Sequence, residues 1–195
     1  MTISNGYSDL ASFKAFKNID STDTTDDTVI EDIIEAVSRY IDRKTGRTFY
    51  AKSETRYFDV PEGRELDLRA DLLTVTTLTN GDGTVIAAAY YNLEPRNSAP
   101  YYAIKIKQSS PYLWQLDTNG NMEGVISVAG TWGFSATTPD DIKELCLEIA
   151  SNIYQRRSGQ GADAAATITG AGVVLSPRDV PGWARDVLEF YKRRL

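Results

Sequence analysis

The chain has 195 residues, of which 42% are hydrophobic and 25% charged, as is ordinary for a soluble globular protein. It has no histidine and one cysteine, Cys146, which excludes histidine-based catalytic triads, histidine zinc sites and an internal disulfide. The net charge is −6, and residues 1–35 carry eight acidic and two basic side chains, which argues against binding to a phosphate backbone.

The first part of the chain predicts two helices. Ser8 is a suitable N-cap for a short helix over Asp9–Lys17, and the polar stretch Asp20–Asp27 follows as a loop. Asp26 and Asp27 start the next helix, in which apolar residues recur at spacings of three and four as far as Ile41. Gly46 supplies a stop signal, so the pattern predicts a long amphipathic helix.

From about Arg47 to Gly133 the apolar period changes to two, which indicates β-strands. The sequence Asn80-Gly81-Asp82-Gly83 predicts a hairpin turn. Six or seven short strands are expected, within Thr48–Val60, Leu66–Leu68, Leu73–Thr79, Val85–Asn92, Tyr101–Lys107, Tyr112–Leu116 and Val125–Gly130. Such a run of strands predicts a small antiparallel β unit inserted between helices.

Helices return after this β unit. Thr138 is the expected cap, and Pro139 lies in the first turn of a helix that extends to Arg157. Residues 158–180 are rich in glycine and alanine and predict a flexible arm, after which Pro181 precedes a final amphipathic helix. The predicted fold class is α+β, with a helical bundle core, an inserted small antiparallel β unit and a C-terminal helix on a flexible arm. The expected domain boundaries are 1–46 with 136–157 for the helical core, 47–135 for the β unit and 158–195 for the arm with its helix.

Few residues in the sequence suggest catalysis or the binding of a metal or nucleotide. Cys146 lies in the middle of an apolar helical stripe, which favours a buried packing residue over a nucleophile. Asp20, Asp23, Asp26 and Asp27 lack the spacing of a calcium loop, so capping and solvation are favoured. Gly170-Ala171-Gly172 lacks the strand–loop–helix context of a nucleotide site, and the apolar runs are too short to span a membrane. We expect no enzyme activity, no cofactor, no metal and no membrane contact.

Trp114 and its neighbours leave one alternative open. Together with Tyr101, Tyr102 and Tyr112, this tryptophan would suit a stacking surface for a sugar or a base. Packing inside the β unit is favoured, because aromatic side chains in strands are more often core or interface residues. A β-type ligand-binding or carbohydrate-binding module is therefore the alternative from a different functional class.

The order of short segments along the chain is distinctive. A helix that ends in Ser12–Lys17 precedes an acidic turn, and the next helix ends in the basic corner Asp42–Arg47. The β unit ends in Val128–Phe134, and the helix that starts in Thr138–Glu144 is followed by the glycine-rich loop and a terminal helix with a basic end. In this order and spacing, nearly the whole chain resembles the head–tail connector (adaptor) proteins of tailed bacteriophages.

The resemblance implies a structural protein of the virion neck that assembles in the host cytoplasm. Such adaptors form a ring beneath the portal, and a dodecamer is expected. The implied partners are other copies of the chain, the portal protein and the next neck or tail-completion component, while DNA passes through without specific binding. Another neck or tail-completion protein is the alternative within the same class.

The C-terminal helix is the expected site of partner contact, because in this family the C-terminal segment commonly reaches the portal. Its amphipathic, basic character is also suited to docking on a partner. The predicted contact residues are Trp183, Leu188, Tyr191, Lys192, Arg193 and Arg194. The alternative, that this apolar stripe closes the core of the chain itself, stays open.

Overall fold

The structure is a computed structural model that describes residues 3, 5–157, 168–169, 172–173 and 180–193. The chain divides into two compact units. We call residues 1–47 together with 138–194 the helical unit, and residues 48–137 the sheet unit.

The described part of the helical unit contains four helices. They are α1 (Leu10–Lys17), α2 (Asp27–Thr45), α3 (Asp140–Arg157) and α4 (Gly182–Tyr191). Helices α2 and α3 pack along each other, and the shorter α1 and α4 each contact both. The apolar stripe of α2 is fully buried from Ile30 to Ile41, as its three- and four-residue spacing predicts.

The helix ends follow local chemistry. Asp9, one residue after the predicted cap Ser8, caps α1 by accepting a 2.8 Å hydrogen bond from the backbone N–H of Ser12. Gly46 ends α2 in the left-handed conformation with φ +66°, which is a conformation that glycine adopts without strain. The predicted bounds of these two helices are therefore correct to within one residue.

The loop between α1 and α2 is organised around a buried cation. The Nζ atom of Lys14, whose residue is only 6% exposed, lies 2.6 Å from Oδ1 of Asp27 and donates to the backbone carbonyl of Asp23 at 2.8 Å. Asp20 and Asp23 accept hydrogen bonds from the backbone N–H groups of Thr22 and Thr25. Hydrogen bonds from the backbone N–H and the hydroxyl of Thr22 lower the carboxyl pKa of Asp20, and hydrogen bonds from the hydroxyl and the backbone N–H of Thr25 lower that of Asp23. The acidic residues thus serve as local caps and as the counter-ion of Lys14.

The sheet unit is a five-stranded antiparallel sheet with the order β1-β5-β2-β4-β3. The strands are β1 (Lys52–Phe58), β2 (Glu65–Thr79), β3 (Tyr91–Glu94), β4 (Tyr101–Ile106) and β5 (Ile126–Trp132), with a 3-10 turn at Ala88–Tyr90. Thirteen buried residues from these strands and their loops form one hydrophobic core. Trp132 belongs to this core and is 1% exposed, stacked on Phe58 and covered by the guanidinium of Arg56 at 4.3 Å from its ring centroid.

Strand β2 changes partner along its length. Its first residues, Glu65–Asp67, pair with β4, and the residues from Leu72 to Thr79 pair mainly with β5. Between them the register shifts, and Arg69 has a φ of +47°. Such a bulge bends a strand without ending it. The two predicted strands Leu66–Leu68 and Leu73–Thr79 are therefore parts of one continuous strand of 15 residues.

Two predicted strands differ in the structure. The Asn80–Gly83 turn is present, but of the predicted strand Val85–Asn92 only Val85 forms an isolated bridge, to Thr79, and only Tyr91 and Asn92 lie in a strand, β3. The predicted strand Tyr112–Leu116 is irregular, because the side chain of Asn80 donates to the carbonyl of Leu113 and accepts from the N–H of Gln115. These side-chain bonds occupy backbone groups that a strand ladder needs.

The prediction of a helical bundle core with a small β insertion is wrong. The four described helices make up only one of two compact units, and the sheet unit has a hydrophobic core of its own. The fold is a sheet-rich α+β fold. The physical reason is that the alternating apolar residues between Leu66 and Trp132 bury enough surface to form a separate core.

The predicted flexible arm lies largely outside the described residues. Within it, the two-residue strands β6 (Ile168–Thr169) and β7 (Gly172–Val173) pair antiparallel, and β7 lies alongside α2. Residues 158–167, 170–171 and 174–179 are not among those described.

Candidate partner interface

Helix α4 has two apolar faces. One contains Ala184 and Leu188, which are 0% and 7% exposed and pack into the helical unit. The other contains Trp183 and Phe190, which are 40% and 79% exposed. Because 3.6 residues make one turn, residues 183, 187 and 190 follow one side of the helix and residues 184, 188 and 191 another. We call Trp183, the half-buried Val187 and Phe190 the aromatic face.

The aromatic face is held in place by contacts at the end of α4. The Tyr191 hydroxyl donates to Oδ1 of Asp141 at 3.1 Å, and its backbone carbonyl accepts from Nε of Arg47 at 2.7 Å. The backbone N–H of Arg193 donates to the carbonyl of Thr45 at 2.8 Å. The ring of Phe190 meets that of Tyr191 edge-on, with centroids 5.0 Å apart. An exposed phenylalanine is therefore presented on a helix whose C-terminal end is fixed by hydrogen bonds.

The environment of Tyr191 is reflected in its pKa. Burial, followed by the hydrogen bond to Asp141 and the negative charge of that carboxylate, raises the pKa of the Tyr191 phenol to about 12. The hydroxyl therefore stays protonated and continues to donate at any physiological pH.

The six predicted contact residues have different positions. Trp183 is exposed, whereas Leu188 is buried in the helical unit and Tyr191 is half-buried against Asp141. Lys192 is exposed and forms an ion pair with Glu189 at 3.2 Å. Arg193 is partly buried, and Arg194 lies outside the described residues. Their role in binding a partner stays a prediction.

Phe190 is the residue that the sequence reading missed. It is the most exposed large apolar side chain in the described part of the chain. Its spacing from Trp183 and Val187 is i, i+4, i+7, which is the signal that would have revealed a second apolar stripe.

The aromatic residues of the sheet unit do not form the alternative stacking surface. Trp114 is only 8% exposed and belongs to the hydrophobic core, and Tyr101 and Tyr112 pack against that core. Of the four aromatic residues considered, only Tyr102 is largely exposed, at 55%. This arrangement removes the observation on which a carbohydrate-binding module depends.

Cys146 is placed as its helical position predicts. It is fully buried, with its sulfur 3.7 Å from the hydroxyl oxygen of Ser38, and burial raises the pKa of its thiol to about 12. Within the described ranges, no three acidic, cysteine or histidine side chains come together as metal ligands would. No helix in those ranges combines the length and apolarity needed to cross a bilayer.

Comparison with known proteins finds solved structures whose fold is similar to that of this chain. No protein-family model matches the chain, and no curated protein matches it significantly. A chain from the neck of an empty gene transfer agent (GTA) particle, computed with C6 symmetry, is similar with a TM-score of 0.59 and 19% identity over 95% of this chain and 90% of that chain. A chain from the neck of the native GTA particle, computed with C12 symmetry, gives 0.57 and 19% over the same shares.

The chain thus has the fold of a component of a phage-like particle neck. The resemblance to phage neck connectors that the sequence suggests is confirmed at the level of the fold.

Proposed function

We propose that the chain is a structural, non-catalytic head–tail adaptor of a tailed phage or phage-like particle. One observation carries this proposal: 95% of the chain follows the fold of a chain found in a particle neck of C12 symmetry. The near-complete coverage matters because both units of the chain take part in the match.

The proposed assembly is a ring, with twelve copies expected beneath the portal. A closed cyclic ring uses one heterologous contact repeated until the rotation closes, so each copy needs two different surfaces. The separate helical and sheet units offer such different surfaces. In this role the chain joins the head to the next neck or tail-completion component, and DNA passes through the ring.

The aromatic face of α4 is the proposed contact with the portal. Exposed tryptophan and phenylalanine side chains on a fixed helix supply large apolar area at low entropic cost, which is typical of binding hot spots. Trp183 and Phe190 provide this area, and the basic end of the chain, Lys192–Arg194, adds charge complementarity to an acidic partner. Leu188 and Tyr191 act by holding α4 in place.

The test uses particles that lack the gene for this chain, complemented by variants. Wild-type protein should restore heads joined to tails, whereas particles without it should accumulate as separate DNA-filled heads and tails in electron micrographs. The double variant Trp183→Ala/Phe190→Ala should fold but fail to enter the neck, measured as the amount of this protein in purified particles.

The matched control is Val85→Ala/Leu113→Ala, which removes two similarly exposed apolar side chains from the sheet unit. This control should enter the neck as wild type does. Joined particles in the complete absence of the protein would refute the adaptor role, and normal entry of the Trp183/Phe190 variant would refute the portal contact alone.

A further inference from the structure

Three neighbouring strands of the sheet unit present an outer face without charged side chains. Residues that lie opposite each other in paired strands point to the same side of a sheet. On this side, β1, β5 and β2 form three rows of paired residues, which are Ser53–Thr131–Thr74, Thr55–Ala129–Thr77 and Tyr57–Ser127–Thr79. We call these nine residues the neutral face.

The other side of the same strands is the core side. Ile126, Val128 and Trp132 of β5 alternate with the neutral residues of that strand and belong to the hydrophobic core. The neutral face itself is open to solvent. Four of its residues are exposed and the other five are half-buried, the exposed ones being Ser53, Thr55, Tyr57 and Thr74.

Strand β1 turns its charged side chains away from the neutral face. Lys52, Glu54 and Arg56 alternate with the neutral residues and lie on the core side, where the guanidinium of Arg56 covers Trp132. The carboxylate of Glu54 lies 2.6 Å from Nζ of Lys52 and 2.7 Å from Nε of Arg56. Antiparallel sheets with one solvated face usually turn their charged residues towards water. The outer face therefore lacks charge even though β1 has charged residues.

The rest of the sheet unit is charged and acidic. Residues 48–137 carry ten acidic and seven basic side chains and so have a net charge of −3. On the β2–β4 pair, by contrast with the neutral face, Glu65 forms an ion pair with Lys105 at 3.1 Å and Asp67 is exposed. Depletion of charge is the compositional feature that distinguishes the centre of a protein interface from other surface. The neutral face has this depletion.

We propose that a neighbouring copy of this chain docks on the neutral face and that this is a contact of the ring. The inference rests on the proposed ring function. Charge identifies the occupant, because the whole chain is acidic, with a net charge of −6. A basic partner would be bound better by a surface that keeps its carboxylates, whereas an identical acidic chain would be repelled by them. A surface without charge therefore suits a copy of the same chain, which meets it with a different surface of its own.

The side chains of the neutral face suit a lasting contact. Five of the nine are threonines, whose β-branched side chains have few rotamers and lose little freedom when they are covered. Tyr57, which is 68% exposed, supplies a large side chain of the type that anchors interfaces. Strand spacing and rise give the face a size of about 10 Å by 13 Å, which suits the centre of a larger contact.

The first test is photocrosslinking in assembled particles. The photoreactive amino acid p-benzoylphenylalanine in place of Thr55 should join the chain to copies of itself and give a ladder of covalent multimers. The control carries the same group in place of Ser98, an exposed residue between β3 and β4, and should leave the chain monomeric. Mass spectrometry identifies the products. A product with another neck protein, no product at all, or an equal ladder from position 98 would overturn the proposal.

The second test adds charge to the neutral face. Thr55→Glu/Thr77→Glu should lower the amount of this protein in purified necks at least tenfold, because the new carboxylates would meet an acidic neighbour. The control Ser98→Glu/Ser109→Glu adds the same charge at two exposed positions outside the face and should stay within twofold of wild type. Normal entry of the Thr55/Thr77 variant would contradict the proposal. If that variant does not fold, Thr55→Glu alone, at an exposed position, repeats the comparison with the same two outcomes.

These outcomes differ from a failure of the proposed function. Wild-type particles without this protein in the neck would refute the adaptor role itself. Particles that contain the protein but give no ladder from position 55 would refute only the contact through the neutral face.

Discussion

Leu188 and Phe190 are only two residues apart on α4, yet the first is 7% exposed and the second 79%. Two residues rotate about 200° around a helix, so the two side chains lie on nearly opposite sides. Substitutions within one turn of this helix can therefore separate an effect on stability from an effect on the proposed partner contact.

Leu188→Ala should lower the free energy of unfolding by about 3 kcal/mol, because it leaves a cavity in the core of the helical unit. Phe190→Ala should change the same quantity by no more than about 0.5 kcal/mol, because its side chain is exposed. Urea denaturation followed by circular dichroism measures both. Equal losses in the two variants would mean that Phe190 is packed in solution.

Lys14→Met should destabilise the helical unit by about 2 kcal/mol, since it leaves the Asp27 carboxylate and the Asp23 carbonyl without their charged donor. Lys17→Met, one turn further along α1, is the control and should stay within about 0.5 kcal/mol of wild type. The measurement is the thermal unfolding of wild type and the two variants. A Lys14 variant as stable as the Lys17 control would contradict the structural role of the Lys14 cation.

The free energy of unfolding should fall at high pH because Tyr191 loses its proton there. Its pKa in the folded protein is about 12, above the ordinary value near 10, so the folded state binds this proton more tightly. The resulting stabilisation is fully present below pH 10 and is lost as the pH rises through 12. Tyr191→Phe should show a shallower loss of stability between pH 10 and 12 in denaturant titrations. Tyr57→Phe, at an exposed position, should retain the wild-type slope.

Cys146 should be inert in the native protein, because burial raises the pKa of its thiol to about 12. A thiol reagent such as Ellman's reagent at pH 8 should modify no thiol in the folded chain and one per chain in urea. Rapid modification of the native protein would show that the packing between α2 and α3 opens readily.

The helices illustrate what sequence patterns predict well. The three- and four-residue spacing of isoleucine and valine in α2, with Gly46 after it, defines a helix by local rules alone. Arg69 illustrates the opposite case. Arginine carries no signal for positive φ, so a bulge imposed by pairing with two different strands is invisible in the sequence.

The error in the fold class has a similar origin. Periodicity identifies strands one at a time, but whether they form a minor insertion or a unit with its own core depends on long-range contacts such as Trp132 with Phe58. The candidate interface was only partly predictable for the same reason. The helical spacing in the sequence predicts an apolar stripe that contains Trp183 and Leu188, but the burial of Leu188 depends on how α4 packs against α2 and α3.

The backbone N–H of Phe134 donates to the carbonyl of Thr48 at 2.7 Å, so the sheet unit starts and ends at neighbouring points. Because its two ends are joined by this hydrogen bond, the sheet unit can change in size without moving the points at which the chain enters and leaves it. Its loops can lengthen, or a sheet of another size can take its place, while the connecting segments at Thr48 and Phe134 remain side by side. Variation in the sheet unit would then change the surface that this unit presents without changing the order of the helices along the chain.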